Sequence, residues 1–209
     1  SLRAAGRAGE AALALLLALL VSLPWPGVVV AQGEAQSAGF SAEELEQIVA
    51  PIALYPDSLL AQVFMASTYP LEIVEAGRWA EKHPGLKDKA LEDALKEQTW
   101  DASVKSLVSF PDVLTMMNEK LDWTQKLGDA FLAQQSDVMD AVQRLRGKAK
   151  AQGNLESGEQ QTIIVEQASQ SEPSIIRIEP ANPQVVYVPT YNPTVVYGSW
   201  PYPSYPHYS

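Results

Sequence analysis

Three aromatic–proline steps, Tyr55-Pro56, Tyr69-Pro70 and Phe110-Pro111, limit how the middle of this chain can fold. A proline inside a helix removes a hydrogen bond and clashes with the preceding turn, at a cost of ~3 kcal/mol or more. In the first turn the N–H it lacks would be unpaired anyway, so proline is tolerated there. An acid follows each of these prolines within two positions (Asp57, Glu72, Asp112), where it favours the positive end of the helix dipole. Each step is therefore predicted to start a helix, with the aromatic residue folding back on the first turn as a staple. Tyr55-Pro-Asp-Ser-Leu-Leu and Phe110-Pro-Asp-Val-Leu-Thr echo each other. Reuse of a good start signal explains the echo, with an ancient duplication as the other reading.

Apolar spacing supports a helical domain over residues 40–150. Ser41-Ala-Glu-Glu44 has the form of a capping box at its start. Leu59, Leu60, Val63 and Phe64 share one face, as do Val104, Leu107 and Val108, and Val113, Leu114, Met117 and Leu121. Leu127, Phe131, Val138, Val142 and Leu145 form the longest stripe, predicting one long final helix from Asp122 to Lys150 as the packing spine. About six helices are expected in all. Asp140 and Arg144 are spaced as an i,i+4 pair, and Arg144, Arg146, Lys148 and Lys150 are read as charge complementing the helix dipole. Glu43, Glu44 and Glu46 are read as a solvated first turn. Trp79, Trp100 and Trp123 are expected to anchor the core, with a carbohydrate-stacking platform as the competing reading.

Residues 151–161 have a linker's composition, and residues 162–197 form a β-prone repeat region. Its runs are Thr162–Val165, Ser174–Ile178, Gln184–Val188 and Thr194–Tyr197. Two belong to a ten-residue repeat, Asn182-Pro-Gln-Val-Val-Tyr187 and Asn192-Pro-Thr-Val-Val-Tyr197, predicted as turn then short strand. Residues 198–209 form a Pro/Tyr-rich low-complexity tail, expected to be extended and to stop in mid-pattern. Prolines reduce the entropy lost on binding and aromatics supply contact area, which makes Tyr187, Tyr191, Tyr197, Trp200, Tyr202 and Tyr205 candidate partner-binding residues. The competing reading is an exposed spacer. The predicted fold class is mainly α: a small multi-helix domain with a long final helix, then short β-hairpin-like strands and the tail.

Ahead of the domain, Arg3 and Arg7 precede an apolar run from Ala11 to Leu23, and Val29-Val30-Ala31 suits cleavage. Residues 1–31 read as a signal peptide and 32–39 as a mobile segment. An uncleaved anchor is the alternative, and membrane contact is expected only if residues 1–31 are retained. The net charge of −10 disfavours nucleic acid. With no cysteine, thiolate chemistry and Cys-type metal sites are excluded. His83 and His207 are the only histidines; His83 precedes Pro84-Gly85 and is expected to bond helix-end carbonyls. No phosphate-binding glycine loop and no nucleophile elbow is present, and no catalytic, metal or cofactor residue is assigned. Asp57, Asp101, Asp112 and Asp122 stand where helices are predicted to begin, which capping explains.

The segments Phe40-Ser-Ala-Glu-Glu-Leu, Ala50-Pro-Ile-Ala-Leu-Tyr-Pro-Asp-Ser-Leu-Leu-Ala-Gln-Val, Ala66-Ser-Thr-Tyr-Pro-Leu-Glu-Ile-Val and Leu121-Asp-Trp-Thr-Gln-Lys-Leu-Gly-Asp-Ala-Phe, with the Asn-Pro-x-Val-Val-Tyr pair, resemble the bacterial exported proteins of the DUF3300 family. The resemblance covers about residues 40–200. It implies a Gram-negative envelope or periplasmic protein and supplies no catalytic residue to carry over. The expectation is a non-catalytic interaction or scaffold protein, with an envelope protein or a glycan as partner. The alternative is an envelope hydrolase using paired carboxylates.

Overall fold

The computed structural model describes residues 39–166 and 174–208. The predicted signal segment, and all of the predicted mobile stretch except Gly39, lie outside the described residues.

The first helix, α1 (Ala42–Val49), begins at the predicted capping box: Glu44 N–H donates to Ser41 Oγ at 3.2 Å, and Ser41 N–H to Glu44 Oε2 at 2.9 Å. Six more helices follow: α2 (Asp57–Ser67), α3 (Pro70–Lys82), α4 (Asp88–Lys96), α5 (Ala102–Leu107), α6 (Pro111–Glu119) and α7 (Leu121–Ala133). The longest helix, α8 (Gln135–Ala151), closes the domain. Pro70 and Pro111 sit in first turns as predicted, whereas Pro56 is one step earlier, at the cap of α2. Of the three aromatics ahead of these prolines, Tyr55 is buried, Phe110 is half-buried and Tyr69 is exposed, so Tyr55 alone has the full burial expected of a staple.

The helix expected from Asp122 to Lys150 is two helices. Gln134 breaks it at φ −144°, ψ 49°. Its side chain is used elsewhere: Oε1 accepts from Phe40 N–H at 2.6 Å, and Nε2 donates to Phe40 O at 3.2 Å. An apolar stripe can continue across such a break, because each half keeps its own face inward. That is why periodicity alone did not reveal it, and it accounts in part for eight helices between residues 42 and 151 where about six were expected.

α1 lies along α8; α2 packs on α5 and α7; α3 packs on α6. Nearly every residue of the predicted stripes is buried; Leu121 is half-buried, and half-buried Phe131 stacks on Phe64 with ring centroids 5.1 Å apart. Trp123 fills the centre and donates Nε1–H to Ile48 O at 2.8 Å. Where α7 crosses the end of α2, Gly128 is needed for lack of room: a Cβ there would stand 2.3 Å from Ser67 O.

Two of the four β-prone runs pair, as the antiparallel hairpin β1 (Gln161–Glu166) and β2 (Ile175–Pro180). β2 packs on α2 and α8 and buries Ile176 and Ile178. The other two runs correct the expectation of turn-then-strand repeats. Both repeats make the predicted turn, since Gln184 N–H and Thr194 N–H each donate at 3.0 Å to the Asn side chain two residues back. After it they diverge. The first makes one isolated bridge, Asn182 to Val185, and leaves Tyr187 exposed. The second coils into the short helix α9 (Pro193–Val196), which delivers Tyr197 to the core.

Candidate functional site

The turn between α1 and α2, residues 50–56, is almost wholly buried yet contains no regular helix or strand. A buried main chain must find hydrogen bonds somewhere. Here local turn bonds pair several N–H groups, Ile52 and Ala53 with Val49 O and Tyr55 with Ile52 O, and the remaining partners come from side chains distant in sequence. Ala50 O accepts from the hydroxyls of Tyr191, at 2.9 Å, and Tyr197, at 2.8 Å. Leu54 N–H donates to Tyr191 Oη at 3.3 Å. Ala53 O and Tyr55 O accept from Arg146 at 2.8 and 3.1 Å.

Arg146 is itself buried, at 1% exposure. Besides those two carbonyls it donates to Ile176 O on β2 at 2.8 Å and lies 2.7 Å from Asp57 Oδ1 at the start of α2. The expectation of a basic run serving the helix dipole is therefore corrected for Arg146, which cross-links α8, the buried turn, α2 and the hairpin. Its neighbours Arg144 and Lys148 both reach Glu46, whose side chain is 2% exposed. Glu46 is thus a buried counter-ion and not part of a solvated first turn, and the partner of Arg144 is Glu46, not Asp140. A signal for both was present. Arg146 stands four residues after Val142, and Glu46 three before Val49, so each charge falls on an apolar face.

Three phenols gather at this seam. Burial, and then the nearby Asp112 carboxylate, push the Tyr55 hydroxyl up to about 12. Burial also raises Tyr191 and Tyr197 well above the ordinary phenol value. All three stay neutral across the range where most proteins work, so Tyr191 and Tyr197 keep donating to Ala50 O. Tyr55, Asp112, Met116, Tyr191 and Tyr208 line a cavity of about 210 Å³ here, walled further by Pro51 and Pro193. That is room for a single small group at most.

Beyond Tyr197 the chain turns at Gly198, whose φ of 76° is left-handed, and residues 199–208 lie across α1, α7 and α8. Trp200 is the centre of this strap. Its Nε1–H donates to Tyr205 O at 2.8 Å, and Tyr202 and His207 meet its ring edge-on, each with centroids 5.6 Å away. Lys148 Nζ lies 5.2 Å from the Tyr202 centroid and 5.9 Å from that of Trp200, within cation–π range. Gln47 Nε2 donates to Pro206 O, and Lys126 Nζ approaches Tyr208 Oη at 3.4 Å.

The six candidate partner-binding residues thus fall into three groups. Tyr191 and Tyr197 commit their hydroxyls to the buried turn. Trp200, Tyr202 and Tyr205 are half-buried in the strap, and Tyr187 is exposed. Among the predicted anchors, Trp100 is buried and donates to Glu75 at 3.0 Å, while half-buried Trp79 has one face covered by His83, 4.3 Å away. His83 Nδ1 lies 2.8 Å from Trp79 O, the helix-end contact expected of it. Of the helix-start acids, Asp101 accepts from Ser103 N–H at 2.8 Å, and that bond with the Ser103 hydroxyl holds its carboxyl below the usual range. Asp57 faces Arg146, and Asp112 and Asp122 lie in the first turns of α6 and α7. Among the described residues no group of three or more His, Asp or Glu side chains could hold a metal, and no helix is long and apolar enough to cross a membrane.

Comparison with known proteins agrees with the resemblance seen in the sequence. The family described as "Protein of unknown function (DUF3300)" matches residues 41–209. "Uncharacterized protein YacH" of Escherichia coli (strain K12) is 52% identical over 125 residues, which cover 60% of this chain and 20% of the relative. The matched region is thus about a fifth of that relative's length. No solved structure matches.

Proposed function

The chain belongs to the DUF3300 family of proteins of unknown function, and from that premise we propose that it is a non-catalytic interaction or scaffold protein of the bacterial cell envelope, exported by residues 1–31. One observation supports this above others. The charged and polar groups that the fold brings together are spent on one another and on main chain: Arg146 on three carbonyls, Glu46 on two cations, Tyr191 and Tyr197 on Ala50 O. What faces outward at the same seam is a Pro/Tyr-rich surface, from Tyr187 to the strap rings.

The alternative, a hydrolase with paired carboxylates, needs two acids across a cleft with one held protonated. Among the described residues, the two carboxylates with shifted values, Asp93 and Asp101, are both moved down, by hydrogen bonds from Lys89 and Lys96 and from Ser103. That is the wrong direction for a general acid.

The test uses the full chain, because deleting the end would strip Tyr191 and Tyr197 from the buried turn. Affinity capture from an envelope extract is compared for the native chain and for Tyr187→Ser and Trp200→Ala variants. Loss of a specific partner is expected. An identical partner set, or turnover of an envelope glycan that one Asp→Asn change abolishes without unfolding, overturns the proposal.

A further inference from the structure

The strap differs from the chain that precedes it in how it is held. Up to Tyr197 the anchorage is internal. Asn192 caps α9, Asn154 donates to Val195 O and Val196 O at 3.3 and 3.2 Å, and Tyr197 is buried. After Gly198 the polar hold on the helices is made by three side chains reaching out from them, Gln47 to Pro206 O, Lys126 to the Tyr208 hydroxyl, and Lys148 to the faces of Tyr202 and Trp200, while the rings of Trp200 and Tyr208 pack against the core. An amide donating to a proline carbonyl, and cations set against aromatic rings, are a means of recognising an extended proline- and tyrosine-rich segment.

We propose that the face formed by Gln47, Lys126 and Lys148 is a receptor for such a segment, and that its occupant between molecules is residues 199–208 of a second copy of this chain. This deepens the scaffold reading above and rests on it. The observed strap is the receptor's occupant within one molecule, so the chemistry of the ligand is on view. Three properties make exchange feasible. The strap hangs from a glycine in the left-handed region, which suits a pivot. None of its bonds to the helices belongs to a regular ladder or helix. The bonds of Tyr191 and Tyr197 to Ala50 O are made ahead of Gly198, by residues outside the strap. Exchange of an identical element between copies is a low-cost route to assembly. The linked strap competes at an effective concentration of roughly millimolar, so the second copy's strap enters at high protein density or when the strap within the molecule is weakened.

The experiment titrates a synthetic peptide of residues 199–209 into isotope-labelled full chain carrying Trp200→Ala and Tyr202→Ala. Saturable binding is expected, with resonance shifts centred on Gln47, Lys126 and Lys148. Affinity should be at least about ten-fold lower for the native chain, whose own strap competes, and about ten-fold lower when Lys148→Ala is added. No saturable binding to the folded strap variant, or indifference to Lys148→Ala, overturns the receptor. Equal binding of a scrambled proline-rich peptide overturns the assignment to a second copy. Sedimentation of the native chain is an independent check: a dimer fraction that rises with concentration and falls with Lys148→Ala is expected, and a strict monomer at millimolar concentration counts against exchange. If Tyr187-dependent capture persists while peptide binding fails, the scaffold reading stands and this inference falls; failure of both removes both.

Discussion

The Arg146 guanidinium lies 2.7 Å from the Asp57 carboxylate, but the two are not equally buried: the arginine side chain is 2% exposed and the aspartate 40%. The pair is a buried cation whose acid opens to solvent, so its two members should respond very differently to substitution.

Arg146→Met removes a donor from Ala53 O, Tyr55 O and Ile176 O; Ile176 O keeps the amide of Gln143 at 3.1 Å, while Ala53 O and Tyr55 O are orphaned at ~1–3 kcal/mol each. A total loss of ~3–5 kcal/mol is expected, in the range of a broken buried ion pair. Asp57→Asn leaves those bonds intact and should cost ~1 kcal/mol or less. Urea unfolding checks the ratio; equal losses would mean that the carboxylate, not the carbonyls, is what Arg146 serves.

Gly128 and Gly147 should move stability in opposite directions. A Cβ on Gly128 would collide with Ser67 O, a main-chain atom that cannot swing away, so Gly128→Ala should cost ~1–3 kcal/mol. Gly147 lies within α8 and a Cβ there meets nothing within 4 Å, so Gly147→Ala should stabilise by ~0.5–1 kcal/mol. Thermal melts of the two variants decide it; a stable Gly128→Ala protein would show that α7 can withdraw from α2.

Raised phenols make stability fall at alkaline pH. Tyr55 has an unfolded value near 10 and a folded value of about 12. A group whose folded pKa is raised contributes stability that is full below the unfolded value and lost as pH rises through the folded one. Stability should therefore hold below pH 10 and drop between pH 10 and 12, by up to ~1.4 kcal/mol per pH unit for each buried phenol. Tyr191 and Tyr197 shift in the same direction and steepen the fall. Tyrosinate absorbance from these rings should appear together with loss of helical dichroism. Their full ionisation near pH 10 in a chain that stays helical would contradict the burial.

The twin asparagines should prove unequal although each opens an Asn-Pro-x-Val-Val-Tyr repeat. Asn192→Ala removes the cap of α9, which positions buried Tyr197, and should cost ~1 kcal/mol. Asn182→Ala acts on an exposed turn and should stay within ~0.5 kcal/mol. Chemical denaturation of both variants is the measure, and a larger loss at Asn182 would reverse the assignment.

Much of the helical domain was legible because it depends on local rules. Ser41 with Glu44, Pro70 and Pro111 each fixed a helix start, and the apolar stripes named the core. What stayed hidden was everything set by distant partners. Gln134 is an ordinary helix residue until Phe40 offers it a better use. The Val-Val-Tyr of the second repeat prefers a strand until Tyr197 finds Ala50 O. Glu46 and Arg146 each sat on an apolar face, a visible warning, yet nothing local says whom they meet. In the candidate site, the composition of the Pro/Tyr-rich end was legible, but its division into a part anchored from within and a strap held by side chains of the helices was not, since that depends on Asn154, Gln47 and Lys148.

Ala50 O waits for hydroxyls 141 and 147 positions further along the chain. During synthesis, a nascent polypeptide cannot complete the hydrogen bonds of the connection between α1 and α2 until Tyr191 and Tyr197 have emerged. Early fragments must hold a dehydrated stretch of backbone open, or leave it wet. Closure of the buried turn should accordingly come late in the folding of this domain, because it depends on contacts of very long sequence separation.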